Sequence, residues 1–115
     1  MLPSCIFCKI AVGEIPSKAI LREEDVIAVE DVNPQAPIHL LVMPVAHYAD
    51  IVGLSESGNA AMMTKLFATA SKLGLERAGS GGFRIVVNTG AEGGQTVEHL
   101  HVHVLGGRRM HWPPG

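Results

Sequence analysis

The sequence predicts an α+β fold built on an antiparallel sheet, and three observations carry that prediction. Histidines alternate with apolar residues in His99-Leu100-His101-Val102-His103, the period-two pattern of a strand. Three further short apolar runs, each bounded by turn residues, mark neighbouring strands. Only the segment from Ser57 to Arg77 spaces its apolar residues for a long helix, so short strands joined by turns dominate the order of elements.

Taken in order, the amino terminus carries Cys5 and Cys8 in a Cys-x-x-Cys spacing, which in a reducing compartment points to metal or redox chemistry rather than a structural disulfide. From Leu21 to Glu30 an acidic turn, Arg22-Glu23-Glu24-Asp25, leads into Val26-Ile27-Ala28-Val29 and reads as hairpin and strand. Asn33-Pro34-Gln35-Ala36-Pro37 is a loop, because its two prolines exclude regular pairing. The run from His39 to Pro44 is almost wholly apolar, which predicts a central strand. Met63, Leu66, Phe67, Ala70 and Leu73 follow helical spacing, and Gly79, Gly81 and Gly82 end that helix. Phe83 to Asn88 is a strand, a glycine-rich loop runs from Gly90 to Gly94, and the histidine strand follows.

The 115 residues suffice for one domain, 1–115, with a single core. A formal net charge of −2 and nine scattered Lys and Arg form no basic stripe, which argues against nucleic acid and leaves any bound phosphate to other groups. Hydrophobic residues make up 47% and charged ones only 17%, an excess expected to be covered at a subunit interface. The stretch Met1-Leu2-Pro3-Ser4-Cys5 has no signal character and no segment approaches a membrane span, so a cytoplasmic protein is expected.

On a strand, neighbouring histidines stand roughly 6.6 Å apart and the outer pair roughly 13 Å apart at the backbone. One metal cannot easily collect all three, so the rings are expected to divide their labour. Gly93-Gly94-Gln95-Thr96-Val97 precedes them directly, and its small residues let backbone N–H groups approach a phosphate. His111-Trp112-Pro113-Pro114 is a stiff apolar end of chain that is expected to dock on something.

The run His99 to Leu105 matches the histidine triad pattern, His-φ-His-φ-His-φ-φ with φ apolar. Together with Asp31 to His39, Val86-Val87-Asn88, Gly93 to Val97 and the tail Gly106 to Gly115, it resembles the Hint branch of the histidine triad (HIT) family over essentially the whole chain. That resemblance implies a HIT fold: an antiparallel sheet of about five strands with one long helix, in a homodimer whose sheet runs on between subunits. It implies a purine nucleoside phosphoramidase, which hydrolyses the P–N bond of adenosine 5′-phosphoramidates to AMP and amine, with AMP or GMP as ligand.

Residue by residue, the resemblance places Asp31 on the ribose hydroxyls, Val32 near the base, and Phe7, Ile10, Ile15, Val29 and Leu41 around the purine. Asn88 orients ribose or phosphate, while Gly94, Gln95, Thr96 and Val97 cradle phosphate, with Thr96 where the family often has serine. Cys5, Cys8, His47 and His99 correspond to a structural zinc site, and the arm 106–115, with Trp112, reaches the partner's substrate site. Neutral imidazole is a competent nucleophile near pH 7. His101 is therefore expected to attack phosphorus, with His103 and His39 assisting the departing amine and His99 supporting the site. A dinucleoside polyphosphate hydrolase, a nucleotidylyltransferase and a nucleotide-binding scaffold without turnover are the alternatives. The intact His103 and the Trp-Pro-Pro-Gly ending favour the phosphoramidase.

Overall fold

The computed structural model describes residues 2–115, so Met1 of the amino-terminal stretch lies outside the described residues. Its elements are helix α1 (Ile6–Ala11), strands β1 (Ala19–Arg22), β2 (Val26–Glu30) and β3 (Ile38–Pro44), helices α2 (Ile51–Ser57) and α3 (Ala60–Ala78), and strands β4 (Phe83–Val86) and β5 (Val102–Gly106). The five strands form one antiparallel sheet in the order β1-β2-β3-β5-β4. The apolar β3 is the central strand, as its composition predicts. Among the described residues no helix is long and apolar enough to cross a membrane.

Both faces of the sheet centre are covered. On one face Val26, Ala28, Leu40, Val42, Leu100, Val102 and Val104 pack with Leu54 of α2 and with Met62, Leu66, Ala70 and Leu73 of α3. On the other, Ile27, Val29, Leu41 and Met43 pack with Ala11, Phe7 and Ile10. This two-sided burial is why β2 and β3 read as continuous apolar runs rather than alternating ones.

The helix ends follow local chemistry. Asn59 caps α3 by accepting from the Met62 N–H at 3.1 Å, and Asp50 caps α2 by accepting from the Gly53 N–H at 2.8 Å. Gly58, at φ 77°, closes α2 in the left-handed conformation. That break starts the long helix at Ala60 rather than near Ser57. The sequence reading passed over α1 and α2, because six or seven residues are too few to display a helical period.

The strand carrying the histidines is shorter than its alternation predicts. β5 begins at Val102, so only His103 of the three lies on the ladder, while His99 and His101 precede it. The β3–β5 register ends at Val42 opposite Val102, and its continuation would set Leu100 against Pro44. Pro44 has no N–H to donate, and its carbonyl is taken by the His99 ring at 2.8 Å. Leu100 donates its N–H to the Tyr48 carbonyl instead, at 2.7 Å. The alternation of faces nevertheless persists, for Leu100, Val102 and Val104 are all buried under α3. β4 likewise stops at Val86, short of Asn88.

Gly74 of α3 explains how β4 packs so closely. A Cβ at this position would lie 2.5 Å from the Phe83 ring. In an open helix Gly→Ala adds about 1 kcal/mol of stability. Here Gly74→Ala is expected to lower stability by about 1–3 kcal/mol through overpacking, and Gly74→Ala combined with Phe83→Leu is expected to recover part of it. The midpoint of urea unfolding measures both.

Candidate functional site

Two clusters of side chains form around the histidines. In the first, Cys5 and Cys8 from the start of α1 meet His47, just beyond β3, and His99, with all four ligating atoms within 4.8 Å of one another. Cys5 Sγ lies 3.4 Å and Cys8 Sγ 3.5 Å from His99 Nδ1, and Cys8 Sγ lies 3.3 Å from His47 Nδ1. In a tetrahedral zinc site the sulfur–nitrogen edge is roughly 3.6 Å, so the donors already sit close to the corners of such a site. The second ring nitrogen of His99, Nε2, donates to the Pro44 carbonyl at 2.8 Å, which leaves the Nδ1 lone pair facing the sulfurs. Burial, the largest cause, pulls the His99 pKa down to about 4 and keeps that lone pair available at neutral pH. Burial also pushes the Cys5 thiol up.

In the second cluster, Asp31, His39 and His103 converge. His39 and His103 lie diagonally on one face of the sheet, since His39 pairs with Leu105 and Leu41 with His103. The Gln35 N–H donates to His39 Nδ1 at 3.0 Å, so the His39 proton sits on Nε2. That Nε2–H lies 2.9 Å from His103 Nδ1 and 3.4 Å from Asp31 Oδ2. With His39 donating to its Nδ1, His103 carries its own proton on Nε2. Burial and then the neighbouring His101 and His39 pull the His103 pKa down to about 4. A ring held neutral in this way can donate a hydrogen bond from Nε2.

His101 stands between the clusters. It is 7% exposed, and its Nδ1–H donates to the His99 carbonyl at 2.7 Å, which leaves the Nε2 lone pair free. Burial lowers its pKa, favouring the neutral ring that a nucleophile needs. Phe7 sets its ring edge-on to His101 at 4.9 Å between centroids, and His103 lies 5.0 Å away on another side.

The loop before the histidines is wired to itself. Asn88 Nδ2 donates to the Gly93 carbonyl at 2.7 Å, and Gln95 Nε2 donates to the carbonyls of Ala49 and Val97 at 2.7 and 3.0 Å. Both amides therefore shape the loop, rather than reaching freely for a ligand. The Gly94 and Gln95 N–H groups, expected to face phosphate, donate to Ala91 and Gly90 carbonyls within the loop. Among the described residues the N–H groups of Thr96 and Val97 have no protein acceptor, and the Thr96 side chain is exposed. Gly93 is required here, for a Cβ would strike the Thr89 carbonyl.

Of the remaining expected residues, Val29 and Leu41 are buried core with Phe7 and Ile10 packed against them, and Ile15 is half-buried. Asp31 Oδ1 accepts from the Asn33 N–H at 2.8 Å. Val32 is 98% exposed beside it, free of protein packing. Trp112 is 83% exposed and joins none of the ring pairs formed by Phe7 and the histidines, so it does not cover a core of its own chain. A hollow of about 630 Å³ at the β4 edge is lined by Phe83, Arg84, Arg108 and Met110 but by no histidine. The sequence reading missed the Pro44 and Tyr48 carbonyls and the Gln35 N–H. Backbone groups carry no residue-type signal, and only folding brings them to the rings.

The HIT domain family model matches residues 12–110. The chain is 41% identical over 112 residues to the protein named adenylylsulfatase HINT1 of Arabidopsis thaliana, covering 96% of this chain and 76% of that one. It is 40% identical over 112 residues to the 14 kDa zinc-binding protein of Brassica juncea, covering 96% and 98%. Among solved structures, a HIT family hydrolase from Legionella pneumophila superposes with a TM-score of 0.92 at 41% identity, covering 97% of this chain and all of that one.

The burial of His103 gives stability a pH dependence whose sign is set. An unfolded histidine takes up a proton near pH 6.5, whereas folded His103 does so only near 4. Across that window the unfolded chain binds more protons, so stability is expected to fall as the pH drops from about 6.5 to 4. Urea titrations at pH 7 and pH 4.5 measure the loss, and His103→Gln is expected to reduce it; an equal loss in both proteins would contradict the assignment.

Proposed function

Because this chain belongs to the HIT domain family, we propose that it is a purine nucleoside phosphoramidase, hydrolysing adenosine 5′-phosphoramidates to AMP and amine. The observation that carries this reading is the hydrogen bond from His101 Nδ1–H to the His99 carbonyl, which aims a free Nε2 lone pair out of a buried, neutral ring. His101 Nε2 forms a bond to phosphorus as the substrate's P–N bond breaks. The departing nitrogen, more basic as that bond lengthens, takes its proton from a water molecule, which is left as hydroxide. Water then displaces the ring from phosphorus, releasing AMP, returning neutral His101 and giving up the proton that neutralises the hydroxide of the first step. Such two-step transfer splits one difficult displacement into two easier ones.

In this reading His103 Nε2–H and the N–H groups of Thr96 and Val97 donate to the phosphoryl oxygens, where charge accumulates. His39 acts through His103, holding its proton on Nε2. Asp31 binds the ribose hydroxyls with Val32 beside the base, and Phe7 and Ile10 wall the purine. Asn88, Gln95 and Gly94 serve indirectly, by holding the loop in shape. Cys5, Cys8, His47 and His99 would hold a zinc ion, which would supply a structural cross-link between α1, the segment after β3 and the histidine segment.

The proposal extends to one HIT domain, 1–115, in a homodimer. The carboxyl-terminal arm would begin at Gly107, because Gly106 still pairs in β5, and the exposed Trp112 is the residue it presents to the partner's site. A second substrate class has support in the Arabidopsis relative's name: in adenylyl sulfate the leaving group departs as an anion and needs no proton.

His101→Ala is expected to lose phosphoramidate hydrolysis by about 10⁴-fold or more while retaining AMP binding by calorimetry. Undiminished turnover would overturn the mechanism, and absence of turnover in the parent protein with AMP still bound would favour the binding scaffold. Metal analysis of protein purified without chelator is expected to return about one zinc per chain, falling to near zero in Cys8→Ala.

A further inference from the structure

The metal-ligand cluster and the nucleophile touch at two points that neither role demands. The first is Phe7, which lies between the two cysteines on α1 and presents its ring edge to His101 at 4.9 Å and 89°, and to His99 at 6.1 Å. The second is His99 itself, whose ring faces the sulfurs through Nδ1 while its carbonyl accepts the His101 Nδ1–H. Helix α1 also rests Phe7, Ile10 and Ala11 on Ile27, Val29, Leu41 and Met43, and its Ala11 carbonyl accepts from Arg22 Nη1 at 3.0 Å. It is six residues long, buries only Cys8 and Ala11, and is capped by the Cys5 sulfur, which accepts from the Cys8 N–H at 3.2 Å. A helix this short does not persist without tertiary anchorage. Without a metal, its ties to His47 and His99 are sulfur–nitrogen contacts of 3.3–3.5 Å, each a weak hydrogen bond.

Resting on the nucleotide and zinc readings above, we propose that metal and nucleotide bind this protein with positive cooperativity. Loading Cys5, Cys8, His47 and His99 docks α1, seats Phe7 against His101 and steadies the His99 carbonyl. When the cluster is empty α1 is held only by its apolar contacts and the Arg22 hydrogen bond, so it shifts more readily and loosens Phe7 and Ile10 from the wall of the nucleotide site. Phe7 is then a positioning residue, transmitting metal occupancy to the nucleophile by packing. Coupling of this kind is reciprocal, so bound nucleotide must tighten the metal site by the same factor.

The test uses the full chain, stripped with a chelator and then reloaded with Zn²⁺, with AMP as the probe. By calorimetry the zinc form is expected to bind AMP about tenfold more tightly than the stripped form. In chelator competition, saturating AMP is expected to raise zinc affinity by the same factor, and amides 6–11 are expected to gain protection from hydrogen exchange on zinc loading. Phe7→Ala is expected to keep its zinc affinity but to bring both factors close to one, and Phe7→Tyr, which retains the ring edge, to restore them. If the stripped chain unfolds, the competition assay still decides, because AMP must raise zinc affinity more in the parent protein than in Phe7→Ala. AMP affinity independent of zinc overturns the coupling and leaves the nucleotide reading standing. Failure of the zinc form to bind AMP overturns the nucleotide reading and the coupling with it; failure to take up zinc overturns the metal reading and, again, the coupling.

Discussion

The site depends on both ring nitrogens and the carbonyl of His99 being committed at once. Its Nε2–H is held by the Pro44 carbonyl, its Nδ1 faces two sulfurs, and its own carbonyl holds the Nδ1–H of His101. Each commitment settles the next. The bond to Pro44 selects the tautomer that turns the His99 Nδ1 lone pair to the sulfurs, and the carbonyl selects the tautomer of His101 that leaves its Nε2 lone pair free. A fully buried imidazole without these partners would be costly, so the arrangement stabilises the fold and orders the site together.

The same logic runs through the second cluster in the opposite sense. There the Gln35 N–H sets His39, and His39 sets His103, so that a proton rather than a lone pair points outward from His103. Adjacent rings two residues apart thus present complementary groups, an acceptor at His101 and a donor at His103. Burial maintains both as neutral rings by penalising the charged form. A charged pair 5.0 Å apart between ring centroids would repel. Neutrality removes that repulsion.

The sheet supplies the rigidity on which these hydrogen bonds rely. β3 and β5 lie at its centre, with α3 packed on one face and α1 on the other, so the histidine face is backed by a dry layer of Val102, Val104, Leu40 and Val42. The contrast between the two helices matters. α3 is long and capped, whereas α1 is short and is held by Phe7, Ile10 and Ala11 on the sheet and by its cysteines. One face of the sheet is therefore covered by a long helix, and the other by a short one beside the histidines.

Much of this was legible in the sequence. Alternation places Leu100, Val102 and Val104 inward and the three histidines together on the other face, the unbroken apolar run marks β3 as central, and Cys5 and Cys8 stand at a metal-ligand spacing. These properties are local, and a period of two or 3.6 is written directly in residue order. Residue order did not reveal the short helices α1 and α2, the early end of the β3–β5 ladder at Pro44, the loop's consumption of the Gly94 and Gln95 N–H groups, or the contact of Phe7 with His101. The chain by itself determined which side chains share a face and what chemistry they can perform. Tertiary structure alone decided which nitrogen of each ring carries the proton, because that choice rests on backbone carbonyls and amides from distant segments, Pro44 for His99 and Gln35 for His39, brought into hydrogen-bonding distance only when the sheet assembles.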